Sequence, residues 1–154
     1  MRLIFIIFAL LATASTSFAQ EREWTLNASD KEAFLVFGVP DTDDVGVSFW
    51  CEIGTNKFSI FVNNIAGQLK EGQSTNMTVE IDNQKFSIKA KAAVEKSGRS
   101  KSLEGQIPGN SPILKAAENG SALKTTIQGH TNTYPLIDAD VTGLLRTCAG
   151  DEVN

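Results

Sequence analysis

The sequence contains one histidine and two cysteines in 154 residues, and this scarcity argues against several kinds of site. Zinc is held mainly by Cys and His side chains, which are too few here, so we expect no metal and no cofactor. A serine hydrolase needs a histidine base and a marked nucleophile, but the chain has no Gly-x-Ser-x-Gly elbow. His130 stands in a turn rich in Gly, Thr and Asn, where a surface histidine is the plainer interpretation. We therefore expect no catalytic residue and predict a protein that is not an enzyme.

An excess of positive charge is also missing. Lys and Arg number 14 against 18 Asp and Glu, which gives a formal net charge of −4 at pH 7. Nucleic-acid phosphates need a basic surface, so nucleic acid is not an expected partner. No apolar run after the first residues is long enough to span a membrane, and we expect no membrane span in the mature chain.

The N-terminal residues have the pattern of a secretory signal peptide. Arg2 provides a positive start, Leu3–Leu11 is apolar, and Ser17-Phe18-Ala19 places small residues at positions −3 and −1 of a cleavage site. The apolar run is shorter than the roughly 20 residues of a membrane-spanning helix, which is the argument against a retained anchor. We predict a signal peptide over residues 1–19 and a single β-rich domain over residues 20–154, periplasmic or secreted.

The strand-like stretch Val45–Ile53 organises the domain. Its apolar residues alternate, and Cys51 lies on the same side as Val47 and Phe49. In an exported chain two cysteines normally form a disulfide, so Cys51 and Cys148 are expected to be bonded; two free buried thiols are the alternative. Cys148 belongs to a helical pattern, since Val141, Leu144, Leu145 and Cys148 share one face.

The clearest hairpin signal joins residues 77–81 to residues 84–90 through Asp82-Asn83. A two-residue turn pairs acid with base and apolar with apolar across the strands, as cross-strand pairing favours. A slip by one residue would destroy every match, so the register is well specified. The predicted pairs are Met77 with Ile88, Thr78 with Ser87, Val79 with Phe86, and Glu80 with Lys85.

The rest of the chain predicts further strands and two helices. Ala33–Val39 is continuously apolar and is expected to be a strand buried on both faces. Ser111-Pro112 begins a short helix that Gly120 ends, and Asp138 or Asp140 caps a final helix that stops at Gly150. The remaining strand segments are residues 21–26, 57–63, 103–107, 122–128 and 134–137. We predict a mainly β fold with six to eight mostly antiparallel strands, in a small β-sandwich or half-closed barrel.

Two groups of acidic residues are candidate sites. Asp41, Asp43 and Asp44 carry calcium-type oxygen ligands, but they lack the spacing and closing Glu of an EF-hand, and a solvated turn explains them. Glycosidic cleavage uses a pair of carboxylates. The strand residues Glu52, Glu80 and Glu104 alternate with apolar positions, so a solvated sheet face explains them.

A basic loop, Glu95–Ser102, is the most suggestive partner-binding candidate. It carries Lys96, Arg99 and Lys101 on an otherwise acidic chain, together with Ser97 and Gly98. Arg and Ser side chains can hydrogen-bond the carboxylates of a partner. The alternative is a hairpin loop whose charges only keep it soluble.

The two tryptophans, Trp24 and Trp50, are the other binding candidates. Trp50 alternates with Cys51 and therefore lies on the opposite strand face. If that face is open to solvent, Trp50 is a binding residue for a peptide or glycan. If a second sheet covers it, Trp50 belongs to the core.

The chain resembles two groups of known proteins. The stretch G-V-P-D-T-D-D-V-G-V-S-F-W-C and the ending L-L-R-T-C resemble small periplasmic β-domain proteins of alphaproteobacteria, a resemblance that implies no activity. The chain is also similar, more distantly, to periplasmic C-type lysozyme inhibitors. These carry an early-strand cysteine bonded to one near the C-terminus and a Ser/Gly loop that enters the lysozyme cleft, and Ser97-Gly98-Arg99 resembles that loop.

The leading functional expectation is a non-enzymatic periplasmic binding or accessory protein of the cell envelope. One alternative is inhibition of C-type lysozyme through the Ser97–Lys101 loop, for which an acidic inhibitor would gain association rate against a cationic enzyme. A second alternative is a carbohydrate-active hydrolase. A protein partner such as a lysozyme or another envelope component is expected, and the sequence does not specify the oligomeric state.

Overall fold

The computed structural model describes residues 21–63, 65, 69–94 and 101–151. Nine antiparallel strands form one sheet that curls into a half-barrel. The strands are β1 (Glu23–Ala28), β2 (Glu32–Gly38), β3 (Val45–Glu52), β4 (Lys57–Val62), β5 (Ser74–Ile81), β6 (Gln84–Val94), β7 (Lys101–Pro108), β8 (Ala122–Ile127) and β9 (His130–Pro135). Two helices, α1 (Pro112–Asn119) and α2 (Val141–Ala149), complete the fold.

The strand order is β1-β2-β3-β4-β7-β6-β5-β8-β9. This arrangement confirms the predicted mainly β fold and its half-closed barrel form, while the strand count exceeds the six to eight expected. Because all nine strands belong to one sheet, one face is concave and surrounds the core, and the other face is convex. We call these the inner and outer faces.

The alternation of β3 determines which side chains reach the core. Val47, Phe49 and Cys51 are fully buried on the inner face, whereas Trp50 is half-buried on the outer face. The sequence interpretation of β2 as a strand buried on both faces is wrong. Phe34 and Val36 are only half-buried, because no second sheet lies over the outer face in the described ranges.

The β5–β6 hairpin has the predicted register, with Val79 opposite Phe86 and Glu80 opposite Lys85. Asp82 adopts a φ of 50° in the turn, a conformation that short Asp side chains tolerate. Its carboxylate accepts hydrogen bonds from the Ser121 hydroxyl at 2.7 Å and from the Ser121 and Ala122 backbone N–H groups. These bonds, the Ser121 hydroxyl first, hold the pKa of Asp82 below its ordinary value.

Both helices begin where the capping residues predicted. Ser111 accepts a hydrogen bond from the Ile113 N–H, and Asp140 accepts one from Gly143 at 2.8 Å. Gly150 ends α2 in the left-handed conformation, at φ 84°. Gly120 ends α1 for a different reason: its backbone is extended, and a Cβ there would lie 2.5 Å from Ile81 Cγ2.

The disulfide between Cys51 and Cys148 is present, which confirms the predicted bond and excludes two free thiols. Both residues are buried, and α2 lies against β2 and β3 on the inner face. The Gly54 N–H donates to the Cys148 carbonyl oxygen at 2.9 Å, so backbone as well as sulfur ties this helix to the sheet.

The disulfide is consistent with an oxidising compartment outside the cytoplasm. The predicted signal peptide, residues 1–19, lies outside the described residues. Among the helices of the described ranges, none has the length and apolar character needed to cross a bilayer.

Candidate functional site on the outer sheet face

Most of the basic loop falls outside the described residues. Lys96, Ser97, Gly98 and Arg99 lie there, so lysozyme inhibition through this loop stays a prediction, which a cell-wall turbidity assay tests. Lys101 lies within the described residues and is the first residue of β7. It pairs with Val94, and its carbonyl oxygen accepts a hydrogen bond from the Ile65 N–H at 3.3 Å.

Trp50 lies in an aromatic row on the outer face. Its ring stacks on Phe34, with centroids 6.1 Å apart, and lies 6.3 Å from the ring of Phe61. We call Phe34, Trp50 and Phe61 the Trp50 strip. The strip crosses β2, β3 and β4 because Phe34 and Trp50 are directly paired and Phe61 is the diagonal neighbour. All three residues are half-buried, so part of each ring faces solvent.

The indole N–H of Trp50 is buried and has no hydrogen-bond acceptor within the described part of the chain. An unpaired buried donor costs about 1–3 kcal/mol. Ser59 is paired with Trp50 in the sheet. Its buried hydroxyl donates a hydrogen bond to the Glu104 carboxylate at 3.1 Å, so this hydroxyl already has a partner. The strip thus combines apolar area with one polar group whose bonding capacity is unused.

Trp24 does not contribute to this surface. It lies on the inner face, with its ring 5.3 Å from that of Phe37 and 6.5 Å from that of Phe49. The two tryptophans therefore occupy opposite faces of the sheet, and a single surface built from both is excluded.

The three candidate catalytic glutamates lie on three different strands. Glu52 is exposed and pairs with Lys57 across the sheet. Glu80 forms ion pairs with Lys85 and Lys124. Glu104 accepts a hydrogen bond from the Ser59 hydroxyl. None of the three is paired with another in the sheet register. The hydrolase alternative stays a prediction without a facing pair among these residues.

The other candidate ligands are dispersed. His130 is exposed at the start of β9. In the acidic turn, Asp44 forms an ion pair with Arg22. The described ranges contain no group of three or more His, Cys, Asp or Glu side chains that could hold a metal ion.

Sequence reasoning missed a cleft between β6 and β7. The two strands pair from Val94–Lys101 to Ala90–Gly105 and then separate. The opening has a volume of about 590 Å³, which is within the usual size range of ligand pockets. Pro108, at the end of β7, was the available signal, since a proline removes a ladder donor. We call this opening the β6–β7 cleft.

No protein-family model, no curated protein and no solved structure matches this chain.

Proposed function

We propose that the protein is a non-enzymatic binding or accessory protein of the cell envelope, acting in the periplasm or after secretion. The Trp50 strip is the observation that carries this proposal. It is a row of three aromatic rings on a sheet face that no second sheet covers in the described ranges. Aromatic side chains are enriched at binding surfaces because they bury large apolar areas and lose little conformational entropy.

The unpaired indole N–H of Trp50 adds a reason for a ligand at this position. Because this N–H is itself covered, a bound sugar hydroxyl or peptide carbonyl would supply the missing acceptor after a rotation of the indole that brings its N–H edge to the surface. The gain would come from relieving a buried unsatisfied donor, which contributes more than a hydrogen bond formed in exchange for water. The ligand class that fits is therefore a flat or apolar surface with an acceptor beside it, as in a glycan or a peptide.

The disulfide supports the compartment. A bond between Cys51 and Cys148 forms and persists where thiols are oxidised, which in bacteria is the periplasm or the exterior. The apolar N-terminal pattern over residues 1–19 agrees with export.

The test uses Trp50 as its own reporter. In a Trp24→Phe background Trp50 is the sole tryptophan, so its emission reports binding when soluble peptidoglycan fragments and envelope peptides are titrated in. We expect a saturable emission change that Phe34→Ser and Phe61→Ser each weaken by about tenfold, the equivalent of about 1.4 kcal/mol. Thr25→Ala, on the same face but outside the strip, is the matched control and should leave affinity unchanged.

Two results would contradict the proposal. One is emission that responds to no envelope fraction, or that responds equally in the strip variants and the control. The other is release of new reducing ends or peptide termini from the cell-wall substrate during incubation, because this would show an enzyme.

A further inference from the structure

The β6–β7 cleft lies where the pairing of β7 with β6 stops, and Pro108 prevents the ladder from resuming at Ser87, the residue that it would face in the same register. Pro108 has no backbone N–H, and its carbonyl oxygen already accepts a hydrogen bond from the Ser111 N–H at 2.8 Å. The last pair of the ladder is Ala90–Gly105, and the lower part of β6 has β5 on one side only.

Backbone groups of β6 that have no partner within the described ranges point into this opening. The Ala92 N–H donates to the Gln73 carbonyl, and the Ala92 carbonyl accepts from Gly72, so Ala92 directs its backbone toward the β5 side. Backbone direction alternates along a strand of an antiparallel sheet. Ser87 and Lys89, which are odd-numbered, therefore direct their N–H and C=O groups toward the cleft, where β7 no longer meets them.

The side chains that line the cleft differ on its two levels. Ile88, Ile107 and Ile113 are buried and form an apolar floor. Lys89 and Lys91 are exposed on the outer face and form a rim that keeps a net positive charge, although Glu104, which accepts a hydrogen bond from Ser59, also lines the cleft opposite Lys91. A strand that lay beside β6 would direct alternate side chains to the floor and to the rim.

We propose that the β6–β7 cleft binds an extended acidic segment of a partner polypeptide, which adds a strand to β6 at Ser87 and Lys89. The N–H and C=O groups of these two residues bind the backbone of the segment, the floor receives its apolar side chains, and the lysines attract its carboxylates. The site is separate from the Trp50 strip, and the inference goes beyond the proposed function.

The probe is the fluorescent peptide Ac-Glu-Val-Glu-Val-Glu-Val-NH₂, with binding followed by anisotropy. We expect saturable binding, and we expect the Lys-Val counterpart to bind at least ~10-fold more weakly because the rim repels it. N-methylation of alternate residues removes the amide donors on one edge of the peptide. Methylating one set should weaken binding by ~10-fold, while methylating the other set should change it less than ~3-fold, because only one edge faces β6.

The protein variants separate charge from backbone pairing. The double variant Lys89→Glu/Lys91→Glu should lose binding, whereas Lys31→Glu/Arg146→Glu, an equal charge change at exposed positions away from the cleft, should retain it. If the first double variant is poorly folded by circular dichroism, Lys89→Gln alone replaces it and should still weaken binding. In NMR spectra of the unmodified protein, the amide signals of Ser87 and Lys89 should shift on peptide addition. Phe34→Ser should bind the peptide normally, so this result is independent of the Trp50 strip.

Three outcomes would overturn the proposal. They are equal effects of both N-methylated sets, equal affinity for the Glu-Val and Lys-Val peptides, and displacement of the peptide by decanoate with the same amide shifts. The last outcome would assign the cleft to small amphiphilic anions instead of a polypeptide.

Discussion

The Trp24 indole N–H donates a hydrogen bond to the Pro135 carbonyl oxygen and so joins the two ends of the sheet. Trp24 belongs to β1 and Pro135 to β9, the first and last strands in the order. Beside them, the ring of Tyr134 meets that of Phe37 at 5.8 Å, and its hydroxyl donates to the Gly46 carbonyl at 3.4 Å. The half-barrel therefore approaches closure through side chains and not through a strand ladder.

Replacing Trp24 with Phe should lower the free energy of unfolding more than replacing Trp50 with Phe. Both changes remove similar volume, but only Trp24→Phe breaks a hydrogen bond, worth about 0.5–1.5 kcal/mol, and leaves a carbonyl without that donor. Trp50→Phe instead removes an unpaired buried donor. Urea unfolding of the two variants measures the difference, and equal losses would contradict the role given to the Trp24–Pro135 bond.

Removing the disulfide should destabilise the domain by about 2–5 kcal/mol, since the bond closes a loop with a sequence separation of 97. The double variant Cys51→Ala/Cys148→Ala is compared with the unmodified protein by urea unfolding, with and without reductant. Reductant should destabilise the unmodified protein and leave the double variant unchanged. A reductant effect on both would show that something other than this bond is responsible.

Asp82, at the tip of the β5–β6 hairpin, should make the free energy of unfolding depend on pH in the acidic range. The pKa of the Asp82 carboxyl is held below its ordinary value of 3.8 in the folded protein, so its ionised form favours folding. This contribution is fully present above the ordinary pKa and is lost as the pH falls through the folded-state pKa. Asp82→Asn should therefore show a smaller loss of stability between pH 6 and roughly pH 2–3 than the unmodified protein.

Asp30→Asn is the matched control for this pH experiment, because Asp30 is an exposed turn residue with no side-chain hydrogen bond in the described ranges. Its unfolding curves should follow those of the unmodified protein at each pH. A flattened profile in the control as well would assign the effect to net charge and not to the Asp82–Ser121 contacts.

The single tyrosine offers a second titration. Burial raises the pKa of the Tyr134 hydroxyl above its ordinary value of 10.0, and its hydrogen bonds offset only part of that effect. A raised folded-state pKa means that the contribution to stability is complete below about pH 10 and is lost as the pH rises through the folded value. Absorbance at the phenolate band should titrate above pH 10 in the folded protein and return to the ordinary midpoint in urea.

Gly105 should resist substitution because of one neighbour. A Cβ at this position would lie 2.6 Å from Ile88 Cγ2, so Gly105→Ala should cost about 1–3 kcal/mol through overpacking. In an Ile88→Ala background the crowding methyl is gone and the cost of Gly105→Ala should shrink. Additive losses in this double-mutant cycle would contradict the contact.

Local patterns were sufficient for much of the fold. The β5–β6 register followed from complementary pairs such as Glu80 with Lys85, because every match would be lost after a one-residue slip. The start of α1 followed from Ser111, and that of α2 was predicted at Asp138 or Asp140, of which Asp140 is the cap; both side chains accept from N–H groups within three residues. The disulfide followed from there being only two cysteines in a chain with an export pattern.

The sequence could not predict features that depend on how strands far apart in the chain pack together. Whether Phe34 and Trp50 lie under a second sheet depends on the sheet curling as one layer, which no short segment encodes. The β6–β7 cleft depends on two strands that separate after Ala90–Gly105, so that Ser87 of one strand and Pro108 of the other line the same opening. Its backbone donors are invisible in a residue pattern, since every residue except proline carries the same groups. The sequence therefore predicted one residue of the Trp50 strip, Trp50 itself, and did not predict the β6–β7 cleft.

The pairing of Cys51 with Cys148 also imposes an order of events. During synthesis the first thiol appears 97 positions before the second, so no native bridge can form until α2 has emerged. Over that interval Cys51 is an unprotected thiol, open to mixed adducts with small disulfides or with other nascent chains. Maturation of this protein therefore depends on an oxidant that acts late, or on an isomerase that reverses an early mistake.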